Sequence, residues 1–577
     1  MKKLKQILAL ILGVLMCCST AVGCGGGGGG KSTVSKFYVS TRDAGVGSAF
    51  LTDFELAFEQ RYAETSFEEG KMGVDIITDA VRENSGDALI SGIARSMFSV
   101  SIVEAINYVD YMAGDLLYDI SDIMDDELSD GSGTIVSKLD DAQKAYLTGY
   151  DGNYYAAPWL CGFNGITYDA KLFEDNFLHF ADANGVKPFE TSTYTDAAYT
   201  GRGFVSVQNT KKAPGPDGIY NTYDDGMPSS YEEFFYLMEY MSKVKSIIPL
   251  TYTGASKHYL NYLMQALLVN YSGAEQFSYN FSFDSGDKTA NIVTGFNGDA
   301  PIIEPVKITE ENGYLTKQTE GYYYATKFMH ELFSNESNYF YSLSSNGAFS
   351  NLDAQTLFYE SSLNADYTPI AMLIEGNYWY SECSGQRASA VNTYGAKANN
   401  RDLRFMVMPS IEKGTINEGE GKAPGVVDGL YHLIVVNNNI KGNAVKEKIA
   451  KEFFKFCFED KTLQMFTKST GIPVAVDYEM DDESYKSMDK YYKSLWDVFS
   501  ASRKGNNFLS PVSGSKIFMT NFLSFGCSTA TDTFWSHIDD VDYETMRHAV
   551  VAGKTQKQYF EGLQISKNTW DTKYKVQ

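Results

Sequence analysis

The sequence predicts an α/β protein of more than one domain. Stretches with strand-like apolar patterns alternate along the chain with stretches in which apolar residues recur at helical spacing. The length of 577 residues also exceeds the size at which a single hydrophobic core stops growing. Internal repeats, which would indicate a solenoid, are not visible in the sequence.

The first 23 residues are typical of an export signal. Residues 1–5 are positively charged, and residues 7–16 form an unbroken apolar run. This run is too short for a transmembrane helix, which needs about 20 residues, but it has the length of a signal core. Residues 21–24 ("AVGC") resemble the lipobox of bacterial lipoproteins, with a plain cleaved signal as the alternative. We therefore expect cleavage before Cys24 and a lipid anchor on the extracytoplasmic face of the cell membrane.

A glycine run follows the signal and matches a nucleotide-binding pattern. Residues 25–32 fit G-x-x-x-x-G-K-[ST], but a phosphate loop needs a strand before it and a helix after it. Here a cleavage site precedes the run, and no helix-period pattern begins before Phe50. We interpret residues 24–36 as a flexible tether that holds the folded body roughly 20 Å from the membrane.

Charge and cysteine content agree with an exported globular body. The net charge is −24, and loss of the three signal lysines makes it −27, which disfavours nucleic acid and anionic lipid as partners. The sequence lacks C-x-x-C spacing, so a disulfide scaffold is not indicated, although pairing of any two cysteines stays open. The cysteines left after processing, besides Cys24, are Cys161, Cys383, Cys457 and Cys527.

Apolar periodicity and capping signals predict the main helices. The first two lie near 49–64 and over most of 101–124. A third begins at a capping box formed by Ser230 and Glu233, a fourth runs from Val445 to Phe456, and a fifth ends at Gly471 and Pro473. Strands are predicted on both sides of Pro158 within 152–169, and over 431–438. Two polar stretches, 180–229 and 272–318, have the composition of loops or insertions.

The order of these segments resembles the family 1 extracellular solute-binding proteins of ABC importers, a group that includes maltose- and oligosaccharide-binding lipoproteins. Two segments contribute most to the resemblance, "YDGNYYAAPWLCGFNGITYDAKLFED" and "KIAKEFFKFCFEDKTLQMFTKSTGIPVAV". Between them come "MPSSYEEFFYLMEYM", "IAMLIEGNYWY" and "RFMVMPSIEKG", and "FLTDFELAFEQRY" precedes them all. About fifty extra residues follow "LFE", so loop contacts of the family cannot be transferred there.

The resemblance implies a two-lobe, periplasmic-binding-protein-like fold of type II character, with a ligand cleft at the hinge and added insertions. Lobe one would comprise 37–153 and 404–475, and lobe two 154–403 and 476–577. Such a protein captures a carbohydrate, here an oligosaccharide, by hinge closure and delivers it to the permease subunits of an ABC transporter. It would act as a monomer without a cofactor and catalyse no reaction.

A sugar site needs flat aromatic side chains for the C–H faces and amides or carboxylates for the hydroxyls. Core packing is the alternative for the tryptophans, and a solvated position is the alternative for the charged residues. The candidates are Trp159, Phe163 and Asn164 after the first crossing, Trp379 with Tyr378 as its substitute, Asp428 at the second crossing, Arg42 after the first strand, and Glu375 as the weakest.

The segment 215–226 gathers oxygen ligands of the type that calcium prefers. They are Asp217, Asn221, Asp224 and Asp225. Their spacing does not match the pattern D-x-[DN]-x-[DN]-G, and Asp, Asn and Gly are also ordinary turn residues. The sequence therefore leaves a structural calcium ion and a plain turn as alternatives.

An exported glycoside-acting enzyme and a binding protein for a non-sugar solute such as a peptide are the rival functions. A glycosidase needs two suitably spaced carboxylates, and 73 acidic residues make such pairs inevitable by chance. The sequence "HELFS" at His330 lacks the second histidine of H-E-x-x-H, and no G-x-S-x-G motif is present. These observations favour binding over catalysis.

Overall fold

The computed structural model describes residues 33–42, 45–81, 92, 96–104, 108–148, 151–183, 185–186, 198–206, 211–256, 258–428, 432–510 and 543–574. The export signal, Cys24, most of the tether and Cys527 lie outside these residues. Within the described part, every helix is too short or too polar to cross a membrane.

Most strands are short and buried. They are β1 (Ser35–Arg42), β2 (Val74–Val81), β3 (Val100–Glu104), β4 (Ala156–Pro158), β5 (Asn164–Asp169), β6 (Ile248–Thr251), β7 (Ala290–Asn297), β8 (Ala300–Val306), β9 (Ile370–Gly376), β10 (Leu403–Met406), β11 (Val426–Val427), β12 (His432–Val436) and β13 (Phe508–Leu509).

Helices surround the sheets. In the first part of the chain they are Ala49–Arg61, Tyr108–Ala113, Ser121–Asp125, Asp141–Leu147, Ala170–Asn176, Tyr231–Glu239, His258–Ser282, Glu320–Ser334, Glu336–Tyr339 and Asn351–Ser361. Later they are Trp379–Glu382, Ser384–Tyr394, Ala396–Asn399, Ala444–Phe458, Asp460–Thr470, Asp482–Ser487, Lys490–Lys504, Tyr543–Val551, Gln556–Gly562 and Lys567–Thr569.

Lobe one contains a five-stranded sheet in the order β2-β1-β3-β12-β4. Strands β1, β2 and β3 are parallel, and β12 runs antiparallel to both β3 and β4. Helix Ala49–Arg61 covers this sheet because Phe50, Phe54 and Phe58 lie on one face and are buried. Their rings pack edge to face against Phe466 and neighbouring phenylalanines, which forms an aromatic core.

Lobe two contains a four-stranded mixed sheet in the order β10-β5-β9-β6. Strand β5 runs antiparallel to both β10 and β9, and β6 is parallel to β9. Helix Lys490–Lys504 packs on this sheet, where Phe405 N donates a hydrogen bond of 2.9 Å to Ser494 Oγ. The C-terminal helices belong to the same lobe, since Arg547 forms an ion pair of 2.6 Å with Glu336.

In the described part of the chain, three segments cross between the lobes. The first joins β4 to β5, the second joins β10 to β12, and the third follows helix Asp460–Thr470. The first and third run side by side: Cys161 N donates to Pro473 O at 2.8 Å and Ala475 N donates to Trp159 O at 2.7 Å. The predicted α/β fold with two lobes and crossing segments is thus confirmed, with the first crossing after Pro158 and the second after Met406.

One local prediction was wrong, and a second segment has more regular structure than its composition indicates. The segment 101–124, expected to be mostly helical, begins as the buried strand β3, because a short continuous apolar run is compatible with either structure. Within 272–318, expected to be a loop or an insertion, β7 and β8 form an antiparallel hairpin. The helix His258–Ser282 also enters this stretch and bends at Gly273, where φ is +83°.

Candidate ligand-binding cleft

Strand ends of both sheets meet the crossing segments. In lobe one, β1, β2 and β3 have their carboxyl ends at one edge, where β12 begins. In lobe two, β5 begins at Asn164, which pairs with the last residue of β9, Gly376. Because ligands of open α/β sheets bind outside such strand ends, the space between the two edges is the candidate cleft.

Three tyrosines, here called the tyrosine cluster, line the lobe-two edge: Tyr259, Tyr262 and Tyr378. The rings of Tyr259 and Tyr262 stand edge to face, with centroids 5.9 Å apart. Tyr378 shares a hydrogen bond with Tyr259, and its pKa is raised well above the ordinary value, chiefly by burial. Tyr262 and Tyr378 remain partly exposed. The cluster therefore offers flat apolar faces together with neutral hydroxyls.

A pair of carboxyl groups lies behind the tyrosine cluster. Gln355 Nε2 donates to Glu375 Oε1 at 2.9 Å and to Glu382 Oε2 at 2.7 Å. Burial, and then the charge of Glu382, raises the pKa of Glu375 to about 8, so Glu375 is mostly protonated at neutral pH. From lobe one, the backbone at Gly45 reaches this pair, since a Cβ there would lie 3.1 Å from Glu382 Cγ.

Trp379 and Tyr378 are consecutive but face different surroundings. Trp379 is fully buried, and its indole N–H donates to Thr167 Oγ1 at 2.9 Å and to Tyr491 Oη at 2.8 Å. The Phe358 ring packs edge to face against it. In this structure Trp379 therefore belongs to the core of lobe two, and Tyr378, its predicted substitute, is the residue at the cleft.

Trp159 packs within lobe one. It is buried, and its ring makes edge-to-face contacts with Phe54, Phe458 and Phe466 at 6.1, 5.8 and 5.1 Å. Among the described residues, its indole nitrogen has no hydrogen-bond partner. The indole also lines a cavity of about 10 Å³ beside His432, next to the strand ends of lobe one. Trp159 is thus a core residue that reaches the edge of the cleft.

Asn377 connects the end of β9 to the first crossing. Its Nδ2 donates to Cys161 O at 2.9 Å, its Oδ1 accepts from Phe163 N at 3.3 Å, and its own N–H donates to Phe163 O at 2.9 Å. Phe163 is buried and packs edge to face against Phe405. Sequence reasoning missed Asn377, although it stands directly beside the two aromatic candidates in "EGNYWY".

A small cavity, here called the hinge cavity, lies where the second crossing meets lobe two. Its volume is about 20 Å³, and it is partly open. The polar residues that line it are Asn164, Tyr262, Gln265 and Asn270. The remaining lining residues are apolar or glycine: Phe163, Ala266, Val269, Phe405, Met406, Val407, Met408, Pro424, Gly425, Val426, Val427 and Val498.

The charged candidates lie at the lobe-one side or at the second crossing. Asp428 is buried rather than solvated, and its backbone N–H donates to Leu509 O at 2.9 Å. Arg42 is the last residue of β1, but its side chain lies outside the described part. At the same edge, His432 Nε2 lies 3.8 Å from Glu104 Oε1.

The proposed calcium loop is held by its own hydrogen bonds. Asp224 Oδ2 accepts from Asp217 N at 3.0 Å, and Asp225 Oδ2 accepts from Asn221 N at 2.9 Å. Burial and the neighbouring Asp217 raise the pKa of Asp224 well above its ordinary value. Among the described residues, no group of three or more acidic, histidine or cysteine side chains converges on a cation position. A structural calcium ion and a plain turn therefore stay alternatives for this segment.

Neither the family models nor the curated proteins searched contain a match to this chain. Solved structures do match. RafE from Streptococcus pneumoniae is 12% identical with a TM-score of 0.48, over 92% of this chain and 99% of that one. The GacH receptor of Streptomyces glaucescens is 13% identical with a TM-score of 0.47, over 94% and 97%. Maltose-bound MalE3 of T. maritima is 12% identical with a TM-score of 0.47, over 93% and 99%.

Proposed function

We propose that this protein is an extracytoplasmic solute-binding lipoprotein that captures an oligosaccharide by cleft closure and delivers it to the permease of an ABC importer. The observation that carries the proposal is the tyrosine cluster at the lobe-two strand ends, beside the crossing segments. Partly exposed aromatic rings suit the C–H faces of sugars, and the neighbouring Asn164, Gln265 and Glu382 suit hydroxyl groups.

The two-lobe architecture supports closure as the capture step. Three segments of the described chain cross between the lobes, and the lobe-one backbone at Gly45 already approaches Glu382 of lobe two. A hinge motion around these segments would close the cleft on a solute. The lipid anchor at Cys24 and the permease partner follow from the sequence resemblance and belong to the same proposal. Hydrolysis of ATP would then take place on a separate cytoplasmic protein.

Thermal unfolding of the mature chain against a panel of solutes tests the proposal. The panel contains malto-, xylo- and chito-oligosaccharides, raffinose, peptides and polyols. A solute present at 100 times its dissociation constant adds about 2.7 kcal/mol to the stability of the native state. We expect one oligosaccharide to raise the melting temperature clearly and to be recovered unaltered. Recovery of a shortened sugar would favour the glycosidase. A rise in melting temperature with peptides alone would show that the solute is a peptide and not a sugar.

A matched pair of variants ties the binding to the cleft. Tyr378→Ala removes a ring of the tyrosine cluster, and we expect it to weaken sugar binding at least tenfold, the loss expected for a stacking contact. Tyr367→Ala removes an exposed ring elsewhere on lobe two and should leave affinity unchanged. Equal affinities of both variants and the wild type, measured by calorimetry, would exclude the tyrosine cluster as the binding surface.

A further inference from the structure

A cavity of about 290 Å³ lies at the end of lobe two that is remote from the candidate cleft. Strand β5 begins at the cleft with Asn164 and ends at Asp169, which pairs with Leu403 of β10. Lys171 and Asp402, the neighbours of these two strand ends, both line the cavity. The six residues of β5 separate it from the cleft by roughly 17 Å. This cavity, here called the basal cavity, is therefore distinct from the candidate cleft.

Positive side chains dominate the wall of the basal cavity, although the chain as a whole is acidic. The sequence has 49 basic and 73 acidic residues. The charged lining residues reverse this ratio, since they comprise four cations and two carboxylates: Lys171, Lys212, Arg404, Lys490, Glu174 and Asp402. Lys171 also pairs with Asp175, which lies outside the lining, at 2.7 Å. Cations still outnumber carboxylates, so the wall keeps an excess of positive charge.

Asp402 holds two of these cations together. Arg404 Nη2 and Lys490 Nζ donate to the same oxygen, Asp402 Oδ2, at 3.3 and 2.8 Å. Arg404 Nε donates to Asp402 Oδ1 at 3.1 Å. A guanidinium carries five N–H donors and an ammonium three, and Asp402 accepts only three of these eight. One carboxylate therefore balances one of two charges and leaves donors for a further anion.

His179 connects Lys212 to this pair of cations. Lys212 Nζ donates to Glu174 Oε2 at 2.9 Å and to His179 Nε2 at 3.3 Å, since an ammonium can only donate. Burial, and then the charges of Lys212 and Arg404, lower the pKa of His179 well below its ordinary value. Both cations thus act on one neutral imidazole, which also lines the cavity. Lys212, from the insertion, and Arg404, from β10, therefore converge on the same wall.

We propose that the basal cavity binds a phosphate group, as free phosphate or as a small phosphate monoester. A monoester carries about −1.5 to −2 charges at pH 7 and three acceptor oxygens, which suits a wall with one guanidinium and three ammonium groups. The volume is close to the lower end of small-molecule sites, about 300–1,000 Å³, so it has room for an organic part beside the phosphate. The proposal does not depend on the sugar site, because the basal cavity lies outside the cleft.

Calorimetry on the mature chain tests the proposal, with inorganic phosphate and glycerol 3-phosphate as probes and acetate as the monoanion control. We expect saturable one-to-one binding of a phosphate probe, at least tenfold tighter than that of acetate. Added salt should weaken it, because Lys171 and Lys490 are exposed. Tighter binding of glycerol 3-phosphate would identify a monoester as the ligand. Equal or tighter binding of inorganic phosphate would identify free phosphate.

Two double variants with the same change of charge locate the binding. Lys171→Ala with Lys490→Ala removes two exposed cations of the basal cavity, and we expect it to raise Kd at least tenfold. Lys441→Ala with Lys468→Ala removes two exposed lysines of lobe one and should leave Kd unchanged. The proposal is overturned if neither phosphate probe binds the wild type saturably, if acetate binds as tightly, or if both double variants have the same Kd. Melting temperatures check folding, and Lys490→Ala alone carries the same test if the first double variant does not fold.

Discussion

Replacement of Glu375 by glutamine should change how stability depends on pH. The folded-state pKa of Glu375 is raised to about 8 from an ordinary 4.5, chiefly by burial and next by Glu382. The folded state thus binds a proton that the unfolded state releases, so stability falls as pH rises from about 4.5 to 8 and then levels off. At 1.36 kcal/mol per pKa unit, the whole effect is about 5 kcal/mol.

Glutamine keeps the shape of the protonated acid but cannot ionise. We expect Glu375→Gln to lose about 1–3 kcal/mol near pH 5, because both Glu375 oxygens accept hydrogen bonds, from Gln355 Nε2 and Gly376 N, and the amide nitrogen of glutamine cannot accept one. At pH 8 the variant should be more stable than the wild type. In Glu375→Gln the fall of stability with rising pH is reduced rather than abolished, because burial also raises the pKa of Glu233 to about 7 and of Asp497 to about 6.

Urea unfolding of the mature chain without ligand, followed by tryptophan fluorescence from pH 5 to 9, measures the effect. The exposed Glu418→Gln is the control, and its curve should run parallel to that of the wild type. If Glu375→Gln and the wild type ran parallel as well, Glu375 would be ionised in the folded protein. The pKa argument, and with it the description of the buried carboxyl pair, would then be refuted.

Two further variants test contacts that hold the lobes in shape. Asn377→Ala leaves the Phe163 N–H and the Cys161 carbonyl unpaired, which should lower the free energy of unfolding by about 2–4 kcal/mol. The exposed Asn338→Ala is its control, and equal urea midpoints would contradict the hinge contact. Arg401→Ala should lower the free energy of unfolding by about 3–5 kcal/mol. Asp169, which is 1% exposed and lies 2.6 Å from the guanidinium, would then keep a buried charge without its partner. A loss below about 1 kcal/mol would show that water reaches this pair.

The elements that the sequence predicted well are those whose signal is local. Helix Ala49–Arg61 follows from a single apolar stripe, and helix Asp460–Thr470 ends at Gly471, whose φ of +75° suits glycine. Ser230 accepts from Glu233 N as the capping box predicts, but the Glu233 carboxylate binds Ser229 N and Arg202 N instead of closing the box. Ser229 and Arg202 both belong to the insertion before this helix, and no local sequence pattern could show that they bind Glu233.

The candidate site was predicted less completely because tertiary contacts decide it. The sequence placed an aromatic residue at the end of β9, yet the turn determines that Trp379 enters the core and Tyr378 faces the cleft. Tyr259, Gln265 and Gln355 were missed, since they lie on helices that the fold alone brings to β9. A polar residue on a helix cannot be recognised as a binding residue from the sequence until its neighbours in the fold are known.

The turn after β9 couples the hinge to the cleft, and Gly376 makes the coupling possible. A Cβ at this position would lie 2.3 Å from the Tyr378 ring and 2.8 Å from Asn164 Oδ1, so only glycine leaves room for the ring. Gly376→Ala must therefore displace Tyr378, while Asn377 beside it holds the first crossing. We expect Gly376→Ala to weaken sugar binding as much as Tyr378→Ala does, and to add less in the Tyr378→Ala background, where the clash with the ring is gone and only the contact with Asn164 Oδ1 remains. Additive losses in this cycle, measured by calorimetry, would show that the turn and the ring act independently.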